Sequence, residues 1–177
     1  SNYQVIAGGK GANQAVAAAR LNADIGFIAS VGDDSFGINI RENLRLEGIN
    51  IDSVKMHPNC PSGIAMIQVT DSGENNICLS PEANAKLTAE AIESTLEKVR
   101  QADYLLMQLE TPICGIERAA QVAKEAKTKI ILNPAPAREL SDKLLSKIDI
   151  ITPNETEAEL LTGVKVDGAE RVLKRRP

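Results

Sequence analysis

Tyr104-Leu105-Leu106-Met107-Gln108-Leu109-Glu110, Lys129-Ile130-Ile131-Leu132-Asn133 and Ile148-Asp149-Ile150-Ile151-Thr152-Pro153-Asn154 decide the fold class of this chain. Each is a short, largely apolar run that ends in a polar side chain, and helix-forming stretches over 113–124 and 140–147 separate them. Runs of this kind fit strands buried on both faces, as in a parallel sheet. Strands that alternate with helices across short joins form such a sheet through right-handed crossovers. The expected fold is therefore α/β, a parallel sheet flanked by helices. In open sheets of this kind ligands bind beyond the carboxyl ends of the strands, so Glu110, Asn133 and Asn154 would line one crevice. They would equally serve as caps of the helices that follow, and Glu155, Glu157 and Glu159 favour the positive end of the last one.

Upstream, residues 88–100 carry Ala91, Ile92, Leu96 and Val99 at helical spacing, with Thr88 placed to start the helix. Two apolar runs, 63–70 and 75–80, joined by Asp71-Ser72-Gly73-Glu74, predict a β-hairpin over 63–80. Ala65, Ile67 and Val69 share one face of its first strand, and Ile64, Met66 and Gln68 the other. Both faces are largely apolar and need a cover. Further upstream a strand is expected over 25–31, closed by Gly32-Asp33-Asp34, and a helix over 35–47 that stops at Gly48.

The segment richest in chemistry is Gly8-Gly9-Lys10-Gly11-Ala12-Asn13-Gln14-Ala15. Its glycines let a ligand approach the backbone, and the alanine-rich stretch behind them starts a helix whose first N–H groups point outward. Such a place suits hydroxyls and anions. Lys10 adds a mobile positive charge and Asn13 an amide that both donates and accepts. The spacing excludes a Walker A loop, because no Gly-Lys-Ser/Thr is present, and excludes the dinucleotide fingerprint G-x-G-x-x-G. Taken alone, the segment is either a polar-ligand loop or a glycine-rich helix entry without a ligand.

The chain has 177 residues, 43% hydrophobic and 25% charged, with a net charge of −4. That composition describes a globular protein and argues against a nucleic-acid partner, which needs a basic surface. Lys174-Arg175-Arg176 reads as a solvated tail. No apolar stretch is long enough for a bilayer and no signal pattern opens the chain, so no membrane partner and a cytoplasmic location are expected. Cys60, Cys78 and Cys114 lack metal or redox spacing. His57, the single histidine, stands before Pro58 and is expected in a loop.

Taken together, the glycine segment, Met107-Gln108-Leu109-Glu110, Asn133-Pro134-Ala135-Pro136-Ala137 and Ile151-Thr152-Pro153-Asn154-Glu155-Thr156-Glu157 resemble the ribokinase family of carbohydrate kinases, its ribose branch above all. The resemblance covers residues 1–166 as a partial family domain and leaves 167–177 as an atypical tail. It implies that Gly9, Lys10, Gly11, Ala12 and Asn13 hold sugar hydroxyls and that Glu110 accepts hydrogen bonds from the sugar. Ala65 and Ile67 would lie on the sugar-facing side of a hairpin lid that also makes a homodimer. Asn154 and Glu157 match an Asn-x-x-Glu element that places ATP phosphates and Mg2+, with Glu157 reaching the metal through water.

The implied reaction is ATP-dependent phosphorylation of D-ribose, with K+ as activator. The aspartate base and the K+ site are expected beyond Pro177, and an Asn-x-Asp sugar element before Ser1. The chain thus reads as an internal fragment, expected to be inactive alone. The alternatives are a kinase for another small sugar or a nucleoside, and a sugar-binding or dimerising protein without chemistry. Glu82, in Pro81-Glu82-Ala83-Asn84, stands where the family usually has glycine. If that position takes positive φ, the substitution strains the lid exit by about 1 kcal/mol.

Overall fold

Gly9, at φ 106°, turns the chain into helix α1, Lys10–Arg20. The computed structural model describes residues 4–70 and 72–165 and divides into two compact units, Ser1–Thr95 and Leu96–Pro177. The expected tail over 167–177 and the turn residue Asp71 lie outside the described residues. The fold is α/β, with parallel strands in both units.

In the first unit β1 is Ala29–Gly32, shorter than the strand expected over 25–31. Residues 25–28 keep only a single bridge, Gly26 to Asn50. The partner segment turns away there, because Asn50 Oδ1 accepts from Asp52 N at 3.0 Å and Val54 N donates to the Ile51 carbonyl at 2.9 Å. The ladder resumes at β2, Val54–His57, parallel to β1 with Ala29 opposite Val54. Helix α2, Ser35–Leu46, lies between them in the chain and ends before Gly48, whose φ of 78° only glycine adopts cheaply. Ala15, Leu44 and Ile49 form a buried cluster joined by Val16, Phe27 and Ile40.

His57 closes strand β2, which corrects its expected loop placement: the alternation of Val54 and Met56 with polar neighbours is too short to announce a strand. Its Nε2 lies 3.1 Å from Oγ of the buried Ser30. Burial, aided by Lys55 and Lys86, holds the imidazole below its ordinary value of 6.5. A depressed pKa favours the neutral ring in the folded state, so this contribution to stability is complete above 6.5 and is lost as pH falls through the lowered value. His57→Gln should flatten the decline in urea midpoint between about pH 7.5 and about pH 5. An unchanged slope would move the sensitivity elsewhere.

Strands β3, Ile64–Val69, and β4, Asn75–Ser80, form the antiparallel hairpin, with Ile67 opposite Ile77. At its exit a 3-10 turn over Glu82–Lys86 begins with Glu82 at φ 42°, so the conditional expectation of positive φ holds. Ser80 Oγ donates to Glu82 Oε1 at 2.6 Å, which partly offsets the strain. Helix α3, Ala89–Ile92, is capped by Thr88 Oγ1, which accepts from Ala91 N at 3.3 Å. The helix expected over 88–100 is interrupted by a 3-10 turn at Glu93–Thr95, where Thr95 Oγ1 donates to the Ile92 carbonyl at 2.7 Å.

The second unit holds α4, Leu96–Gln101; β5, Tyr104–Met107; α5, Ile113–Ala126; β6, Lys129–Leu132; α6, Asp142–Leu145; β7, Ile150–Ile151; and α7, Glu155–Thr162. Its sheet has the order β5-β6-β7, all parallel. Small residues on the buried face of α5, Gly115, Ala119, Ala120 and Ala123, permit close approach to β6, where Ile130 and Leu132 are fully buried. Full burial of side chains of this size is worth roughly 2 kcal/mol each.

Candidate functional site

The glycine loop presents backbone rather than side chains. Gly9 is the N-cap of α1 and offers no side-chain acceptor to the first turn, whose ladder starts with Asn13 N donating to the Gly9 carbonyl at 2.9 Å. No acidic residue stands in that turn, so the helix brings no carboxylate of its own to its positive end. Among the described residues, a Cβ built on Gly8 or Gly9 meets nothing within 4 Å. The loop is thus open to a ligand on its glycine side, with Lys10, Gly11 and Ala12 half-buried and Asn13 exposed.

The hairpin register sorts its residues into two faces. Ala65 opposes Leu79 and Ile67 opposes Ile77, so these four and Val69 share one apolar face. The other carries Ile64, Met66 and Cys78 with Gln68, Asn76 and Ser80, and is more polar than one strand alone suggests. Ile67 is 57% exposed and Leu79 55%.

In the second unit the strand ends are aligned. Asn133 N donates to the Met107 carbonyl at 2.9 Å and Thr152 N to the Leu132 carbonyl at 3.0 Å. Glu110, Asn133 and Asn154 therefore follow three adjacent parallel strands at one edge of a single sheet. Asn154 caps α7: its Oδ1 accepts from Glu157 N at 2.8 Å. Glu157 answers by accepting from Asn154 N at 2.9 Å and from Asn154 Nδ2 at 3.1 Å. This reciprocal box leaves Glu157 only 5% exposed, an unusual place for a carboxylate.

Residues 1–177 match the pfkB family of carbohydrate kinases. The chain belongs to that family. Within this pfkB kinase family, it is 51% identical over 173 residues to a ribokinase of Haemophilus influenzae, covering 98% of this chain and 56% of the relative. A deoxyribokinase of Salmonella typhi is 39% identical over 171 residues, 96% of this chain and 56% of that protein. The Arabidopsis thaliana ribokinase solved with ribose and ATP aligns with a TM-score of 0.89 at 35% identity, over 97% of this chain and 56% of its own. The chain spans a little over half the length of each of these relatives.

The structure thus brings the expected residues into three groups: the loop Gly9 to Asn13, the hairpin face with Ala65 and Ile67, and the sheet edge with Glu110, Asn154 and Glu157. Sequence reasoning gave Asp34 only the closing of a strand and passed over Ser62. The available signal was an aspartate three residues before Gly37 at a helix start, the spacing of an N-cap.

Proposed function

We propose that the complete protein carrying this chain phosphorylates the primary hydroxyl of D-ribose with ATP. The observation that carries this reading is the 51% identity to a ribokinase over 98% of the chain, a span that includes all three residue groups. In this reading the amides of Gly9, Gly11 and Ala12, the Lys10 ammonium and the Asn13 amide hold sugar hydroxyls. Glu110, whose ionised carboxylate can only accept, takes hydrogen bonds from sugar hydroxyls. The apolar hairpin face covers the sugar and excludes water, and a second copy of the hairpin makes the homodimer.

Phosphoryl transfer asks a protein mainly for alignment and charge stabilisation. Asn154 and Glu157 would sit towards the ATP phosphates. Each Glu157 oxygen accepts one hydrogen bond from Asn154, which leaves each a further lone pair for magnesium-bound water. Among the described residues no three of His, Cys, Asp and Glu gather to hold a metal. Magnesium is commonly held by water and phosphate oxygens with one or two carboxylates, and it neutralises phosphate charge when bound. An activating K+ belongs to the same reading, and none of these residues is assigned to it.

The test is ADP release by the complete protein with ribose, 2-deoxyribose, fructose and adenosine in turn. Ribose should give the highest kcat/KM, and Glu110→Gln should raise the ribose KM about tenfold through loss of a charge-assisted bond. The 39% identity to a deoxyribokinase favours deoxyribose as the second reading, and a preference for that sugar would establish it. Ribose binding without any sugar-dependent ADP release would instead make this a sugar-binding protein without chemistry.

A further inference from the structure

Every residue of β3 is exposed, yet the root from which the hairpin springs is tightly held. Ser62, two residues before β3, is 2% exposed. Its N–H donates to Asp34 Oδ2 at 2.7 Å and its hydroxyl donates to Asp34 Oδ1 at 2.7 Å. The same hydroxyl accepts from Gly32 N at 2.9 Å, and Asp34 Oδ1 also accepts from Gly37 N at 2.8 Å. The returning strand is tied in beside it, because Ala83 N donates to the Pro61 carbonyl at 3.1 Å and Ala83 is fully buried. One carboxylate therefore joins the end of β1, the start of α2 and the entry to the hairpin. The hydrogen bonds from Ser62 and Gly37 hold Asp34 below the usual carboxylate range.

A two-stranded blade amplifies any change at its root. Six residues of strand span about 20 Å, so a tilt of about 10° moves the tip by about 3.5 Å. That displacement exceeds what contact with a small ligand tolerates.

We propose that Asp34 is a positioning residue: through Ser62 it fixes the angle at which β3 and β4 leave the junction of β1 and α2, and so aims the face bearing Ala65 and Ile67. Its consequence for the sugar rests on the proposed function; its consequence for the hairpin does not. Asp34→Asn in the complete protein separates the two jobs of the carboxylate. The remaining carbonyl oxygen still accepts from Gly37 N and the Ser62 hydroxyl, whereas the new NH2 group faces the Ser62 N–H and cannot accept from it.

Hydrogen exchange should therefore quicken about tenfold at the Ser62 and Ala83 amides, while Gly37 and Ile130 keep their protection. The KM for ribose should rise about tenfold, with kcat and the KM for ATP within about twofold of wild type. If Asp34→Asn fails to fold, Ser62→Ala, which keeps the bond from the residue 62 amide to Oδ2, should loosen the same two amides by a smaller factor. Unchanged exchange at these two amides, or loosening spread evenly over the chain, would overturn the proposal. So would equal rises in the two KM values. Should the complete protein phosphorylate no sugar, the proposed function fails and the exchange result alone decides the role of Asp34.

Discussion

Gly37→Ala is expected to lower the stability of the complete protein by about 3 kcal/mol, a loss that a urea titration reads directly. On propensity alone the change should help, since alanine is favoured over glycine within a helix by up to about 1 kcal/mol. Space decides otherwise. A Cβ at Gly37 would lie 2.1 Å from the Gly32 carbonyl oxygen and 2.9 Å from Ser62 Oγ. The first of these is backbone and cannot rotate aside. It is also hemmed in, because a Cβ at Gly32 itself would come within 2.3 Å of the Cys60 carbonyl oxygen and 2.4 Å of Ser62 N. Relief therefore requires α2 to shift away from β1, which breaks the bonds from Gly37 N and Ser62 to Asp34. Gly48→Ala is the control: its φ is 78° but a Cβ there meets nothing within 4 Å among the described residues, so only backbone strain of about 1 kcal/mol is expected. Equal losses at the two positions, or no loss at Gly37, would contradict the steric account.

How much of this was legible in the sequence depends on the range of the interactions involved. Strand β6 falls at Lys129–Leu132 as expected, because its apolar run is bounded on both sides and its partners lie on either side of it. Helix α5 and the hairpin are equally plain, being fixed by local periodicity and a turn. The failures are places where a non-local or side-chain bond overrides the pattern. Residues 25–28 look as strand-like as 29–32, and only the turn at Asn50 to Ser53 separates them. The helix over 88–100 has unbroken apolar spacing, and a single threonine hydroxyl accompanies its interruption.

The candidate site divides in the same way. The glycine loop and the polar residues after β5, β6 and β7 stand in short motifs, so they could be named from sequence. Asp34 and Ser62 are separated by 28 residues and belong to no motif. In the sequence Asp34 reads as the residue that closes a strand, and its second task, holding the hairpin root, exists only once the chain has folded.

The largest effect expected on activity is at Glu157, and the argument turns on a charge that the helix cap does not need. A capping box accepts glutamate or glutamine at its third position, so the side chain introduced by Glu157→Gln would still take the hydrogen bond from Asn154 N. It would lose the contact with Asn154 Nδ2, since two NH2 groups would then face each other, at a cost of about 1 kcal/mol. A carboxylate kept 5% exposed is otherwise expensive, and a cation nearby is the usual compensation. If Glu157 orders water around magnesium as proposed, Glu157→Gln should leave the fold nearly intact while the magnesium concentration for half-maximal rate rises about 10- to 100-fold. Glu157→Ala should lose the cap as well, so its urea midpoint should fall below that of the glutamine variant. Initial rates against magnesium at saturating ATP and ribose check the first expectation. An unchanged magnesium dependence in Glu157→Gln would confine Glu157 to the start of α7 and leave the phosphate end of the site to other residues.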